Sequence, residues 1–190
     1  MAPAGRSNER CDAPFHVTGP DDAMTDASAS LQSHYLTFLL GEDLYAITLG
    51  AVKDIRASGA VQPLREVPGY VVGRLEHALG PTPLVDLRRR IGLPAQVAGG
   101  PSVTVVLERA GQRLAMLADA VAEVVDLGLP DEPATASDEP DARAELAWLK
   151  GAAAAGERMV LVLDPDQLIL PADRSAVHAA LVAAATAQAA

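Results

Sequence analysis

The sequence predicts a mainly β protein made of two copies of one unit, and three observations carry that reading. Residues 35–55 lie over residues 104–124 without a gap under a shift of about 69 places. Farther along, residues 70–91 lie over 148–169 under a shift of about 78, and short apolar runs of strand type recur in both copies.

Taken in order, residues 1–31 mix Pro, Gly, Ser, Asp and Asn without a period, the composition of a loosely attached tail. Residues 35–40 and 44–49 read as two strands split by the polar turn Gly41-Glu42-Asp43, with Tyr45, Ile47 and Leu49 on one face. Residues 51–56 read as one or two helical turns, because Val52 and Ile55 fall at i, i+3 spacing. Under the first shift Phe38 meets Leu107, Tyr45 meets Leu114 and Ile47 meets Met116. Under the second, Gly73 meets Gly151, Asp86 meets Asp164 and Ile91 meets Ile169. The two shifts differ by about nine residues, and the segment PDEPATASDEP at 130–140 is the candidate insertion. Such a loop is tolerable, since closure entropy costs only about 0.6 kcal/mol per doubling of length.

Leu84-Val85 and residues 160–163 are continuous apolar runs suited to strands covered on both faces. Pro81 and Pro83 cannot donate ladder hydrogen bonds, so the first of these strands is expected at an edge or at a bulge. Two sheets this small cannot each enclose a full core, and they are expected to close as barrels and pack together. The ordered domain spans 32–171, with lobe one at about 32–100, lobe two at about 101–171 and an element free to cross between them. Residues 172–190 are an Ala-rich C-terminal helix or tail.

The 190 residues are 49% hydrophobic, enough for a sizeable core. A net charge of −10 and an aromatic content of 3% oppose phosphate backbones and base stacking, which excludes nucleic acid as the expected partner. Cys11 has no second cysteine to pair with, and no window approaches a signal peptide or a span of roughly 18 apolar residues. A cytoplasmic protein without direct membrane insertion is the expectation.

No catalytic constellation emerges. His16, His34, His77 and His178 are scattered, and no phosphate-cradling glycine loop, nucleophile elbow or Cys–His pairing is present. The sequence thus offers no catalytic residue, no metal site and no cofactor. Asp86 and Asp164, each at a strand end, suit caps for the following turn. Arg88-Arg89-Arg90 reads as a solvated face, and Tyr70 and Trp148, equivalent in the two copies, as core packing. The stretch 130–145 carries Asp131, Glu132, Asp138, Glu139, Asp141 and Glu145 against Arg143, a composition that favours an extended loop.

Several of these segments together resemble the CheW family, the coupling proteins of bacterial chemotaxis. They are FLLGEDLYAI at 38–47, VKDIR at 52–56, PGYVVG at 68–73 and PLVDLRRRIGL at 83–93, followed by QRLAMLADAVAEVVDL and LKGAAAAGERMVLVLDPDQL in the second half. The resemblance implies two five-stranded SH3-like barrels with a shared interface, and no enzymatic activity. It implies a stand-alone adaptor joining chemoreceptor cytoplasmic tips to the regulatory domain of a CheA-type histidine kinase, at membrane-associated receptor arrays. The family's interaction groove corresponds to Leu49, Val52 and Ile55, with Val52 as the exposed member and Lys53 and Asp54 at its rim. Where the family carries Asn-Leu-Arg-Gly, this chain reads Glu76, His77, Ala78 and Leu79, so Ala78 replaces the arginine that supports the receptor contact. That departure opens a second reading, a CheW-like scaffold in another pathway, such as type IV pilus control.

Overall fold

A computed structural model describes residues 34–78, 80–94, 102–127 and 146–188. The tail at 1–31 and the acidic stretch at 130–145 lie outside the described residues. Ten strands follow in chain order: β1 (His34–Leu40), β2 (Asp43–Thr48), β3 (Val52–Ala57), β4 (Val71–Leu75), β5 (Thr82–Asp86), β6 (Val103–Arg109), β7 (Gln112–Ala118), β8 (Ala120–Asp126), β9 (Leu149–Ala155) and β10 (Arg158–Leu163). A 3-10 turn, Leu49–Ala51, joins β2 to β3, and a second, Pro165–Gln167, follows β10. The short helix α1 (Leu87–Arg90) follows β5, and α2 (Arg174–Gln188) ends the described chain.

These elements obey the repeat. Shifting β1 and β2 by 69 places lands on β6 and β7, and shifting β4 and β5 by 78 lands on β9 and β10. Yet the two five-stranded, SH3-like sheets do not each belong to one copy. Their orders are β8-β1-β2-β10-β9 and β3-β6-β7-β5-β4, so each sheet joins a hairpin of one half to three strands of the other. Both contain one parallel pair, β2 with β10 and β5 with β7, at equivalent positions.

Strand alternation divides the apolar residues between three clusters. Leu36, Phe38, Tyr45 and Ile47 of the first sheet meet Val85, Val105, Leu107 and Met116 of the second in one shared core, joined by Trp148, Leu168 and Val177. On the opposite faces, Tyr35, Leu44, Ala46, Val160 and Val162 form one smaller cluster, and Leu75, Leu84, Val106 and Ala115 form the other. The shared core is what binds the sheets to each other.

One local expectation is corrected, and another holds in one of its two forms. Residues 51–56 are not a helix but mostly strand β3, and the spacing of Val52 and Ile55 has another cause. A bulge separates Val52, opposite Leu107, from Asp54, opposite Val106, so that Ile55 falls opposite Val105. Opposed residues share a face, and Leu107 and Val105 both line the shared core. The extra residue at Lys53 therefore puts Val52 and Ile55 on one side while leaving them three apart. The second copy repeats this in β8, where Phe38 faces Val121 and Leu36 faces Val124. Nor is β5 an edge strand, despite its proline. Its parallel pairing to β7 begins at Leu84, just past Pro83, and the register shift lies on its β4 side.

That shift lies between Val71 and Gly73, and the φ of 155° at Gly73 falls in a region that favours glycine. A Cβ there would stand 2.4 Å from the Gln62 carbonyl oxygen and 2.6 Å from Val61 Cγ1. The connection from β3 can thus cross β4 closely enough to form backbone bonds in both directions between Gln62 and Arg74.

Candidate interaction surface

Strand β3 is an edge of its sheet, and β4 is the opposite edge. Curvature brings the end of one to the end of the other. Arg56 Nη2 donates to the Glu76 carbonyl oxygen at 3.3 Å, and His77 Nε2 lies 3.4 Å from Asp54 Oδ2. Asp54 and Arg56 of β3 therefore meet Glu76 and His77, about 20 positions later in the sequence, along one seam. Beneath it Arg74, only 2% exposed, donates to Gln62 Oε1 at 2.7 Å and lies 3.3 Å from Glu76 Oε1. The sequence reading passed over this buried guanidinium, although an arginine inside an otherwise apolar strand is a signal that a partner must be near.

Exposure does not follow the expected order. Leu49 and Val52 are half-buried and pack on the shared core, whereas Ile55 is 43% exposed. Lys53, Glu76 and Ala78 are exposed and Asp54 is half-buried. Ile55, not Val52, is thus the more exposed apolar residue of β3, on the face opposite Asp54. Its equivalent under the repeat, Val124 on edge strand β8, is 48% exposed. The 69-residue shift of the sequence places these two residues over each other.

Other singled-out residues have internal tasks. Asp86 accepts from the Arg88 and Arg89 amides and Asp164 from the Asp166 amide, both as helix or turn caps. Arg88 pairs with Asp119, whose carboxylate also accepts from the Gly41 amide at 2.6 Å. Arg90 donates to the Leu168 and Gln167 carbonyls and covers the Tyr70 ring, so the arginine run is not the solvated face expected of it. Only Arg89 is largely exposed. Among the described residues no group of three or more His, Cys, Asp or Glu is placed to hold a metal, and no helix is long and apolar enough to cross a membrane.

Paired five-stranded sheets with exchanged hairpins and one parallel pair each define the fold class. A solved structure of that form, the scaffolding protein TtCheW from Thermoanaerobacter tengcongensis, matches with a TM-score of 0.62 at 21% identity, over 73% of this chain and 93% of that one. The family model described as the CheW-like domain matches residues 34–171, and the chain belongs to that family. Curated relatives include the chemotaxis protein CheW of Rhizobium meliloti, 25% identical over 159 residues, covering 80% of this chain and 99% of the relative. The chemotaxis protein CheW of Klebsiella aerogenes is 26% identical over 146 residues, covering 75% and 85%.

Proposed function

We propose that this protein is a non-enzymatic adaptor that couples chemoreceptor cytoplasmic tips to a CheA-type histidine kinase in the cytoplasm. Family membership supports the adaptor role, and Ile55, exposed on edge strand β3, supports the location of a contact. An apolar side chain that serves as one of an interface's few dominant contacts costs more than about 1 kcal/mol when truncated. Lys53, Asp54, Glu76 and Ala78 complete the proposed surface on the neighbouring strand ends, while Leu49 and Val52 hold β3 to the core.

The test compares two charge substitutions. Ile55→Asp should melt near the parent temperature and lose kinase or receptor capture, because it places an unpaired carboxylate in the contact. Val52→Asp should lower the melting temperature, since Val52 packs on the core. Normal capture of both partners by a folded Ile55→Asp variant removes this edge from the function.

One observation favours the second reading, a scaffold in a pathway such as type IV pilus control. The family's receptor-supporting arginine is Ala78 here, and the neighbouring Glu76 is drawn to Arg74. Glu76→Asn with Ala78→Arg should raise receptor affinity if receptors are the partner. An unchanged affinity favours the alternative.

A further inference from the structure

A cavity of about 400 Å³ opens at the margin of the shared core, between the β6–β7 hairpin, the start of β5 and helix α2. That volume is in the range of small-molecule sites. Its apolar lining includes Leu114, Ile169, Val177 and Leu181, and three guanidinium groups, those of Arg109, Arg113 and Arg174, surround it with one carboxylate, Asp166. Glu108 stands 3.7 Å from Arg113, so the residues lining the cavity carry three guanidinium charges against Asp166, with Glu108 beside them.

The wall is held in place before any ligand arrives. Arg109 Nε donates to Asp166 Oδ2 at 2.8 Å, Arg174 donates to the Asp166 carbonyl, and the Asp166 amide is capped by Asp164 at 2.9 Å. Behind it, Arg90 holds the Leu168 and Gln167 carbonyls at 3.1 and 2.9 Å, and Tyr70 donates to Asp173 at 2.6 Å. A guanidinium carries five N–H donors, so these bonds use a small part of what Arg109 and Arg174 present. Fixed walls lower the ordering cost of binding.

We propose that this cavity binds a small organic acid with an apolar tail, the tail lying along Leu114, Val177 and Leu181 and the carboxylate held by Arg109 and Arg174. Apolar floor and cationic rim are both needed to define this ligand. A plain hydrocarbon would make no use of the guanidinium donors left over from the Asp166 bonds, and a bare inorganic anion would leave the apolar wall wet. Planar arginine forks suit a carboxylate.

The experiment is calorimetric titration of the full chain with decanoate, decanol and decylammonium, which share a tail and differ in head group. Decanoate should bind saturably with one-to-one stoichiometry, decanol at least 10-fold more weakly, and decylammonium more weakly still. Arg109→Gln with Arg174→Gln should cut decanoate affinity at least 10-fold and leave decanol unchanged. Leu181→Trp, which fills the floor, should weaken both. Amide shifts on decanoate addition should centre on β6, β7 and α2. Equal binding of decylammonium and decanoate, no saturation by decanoate in the millimolar range, or amide shifts centred elsewhere would each overturn the assignment. The head-group series on the parent protein decides the matter even where a variant does not fold.

Discussion

Tyr70 joins two parts of the chain that no local pattern connects. Its hydroxyl donates to Asp173 and accepts from the Leu170 amide at 3.2 Å, and Arg90 lies 5.5 Å from the ring centroid. Burial, then the bond to Asp173, pushes the phenol up to about 12, against the pull of the Leu170 amide and Arg90. The fold therefore keeps a proton that the unfolded chain loses near pH 10, and between those values the unfolded state binds fewer protons. This contribution to stability is complete below pH 10 and is lost as pH rises through about 12. Urea unfolding should show that decline, and Tyr70→Phe should make it shallower while lowering stability at pH 8 by about 1–2 kcal/mol. Some decline persists because Tyr45 is also raised, by burial and then by Asp43, against Arg88. Equal slopes in the parent and Tyr70→Phe would refute the assignment. Packing of Trp148, 9% exposed, was legible from the repeat. The hydroxyl work of Tyr70 was not, because its partner lies 103 residues away in a segment the repeat does not cover.

At the scale of elements, strands whose faces alternate cleanly were readable and bulged ones were not. Strand β2 alternates Leu44 and Ala46 against Tyr45 and Ile47, and its assignment needed nothing else. Strand β3 carries an extra residue, which gives same-face positions the three-residue interval of a helix. In the first sheet the equivalent bulge is filled by Thr37, fully buried, which donates to the Glu123 carbonyl at 2.7 Å and accepts from its amide at 3.0 Å. Its counterpart under the repeat is Val106, which is paired with Asp54. A threonine side chain thus replaces a ladder contact in one sheet only. Thr37→Val keeps the shape and removes both bonds, and it should cost about 1–2 kcal/mol. The readout is the midpoint of thermal or urea unfolding. An unchanged midpoint would show that water serves the Glu123 groups equally well.

For the whole molecule, the repeat was legible but the exchange of hairpins was not, and the reason is the repeat itself. Because β1 and β6 are near-equivalent, β3 finds the same apolar face on either, and residue pattern does not choose between them. The choice has a measurable result. Residues 1–100 and 101–190 prepared separately should each lack a complete sheet and show little fixed tertiary structure, and mixing them should restore the dispersed amide spectrum of the intact chain. A well-ordered separate half would contradict the exchanged topology. The same connectivity sets a timetable during synthesis. The second sheet has all its strands once Ala118 is made, whereas β1 and β2 wait for β10, which ends at Leu163. At ordinary elongation rates that interval is on the order of 10 s. Through it the oldest hairpin carries Tyr35, Leu44 and Ala46 without the strand that will cover them, so the part of the chain born first is the last to be sheltered, and the nascent protein has its greatest need of a chaperone at its beginning.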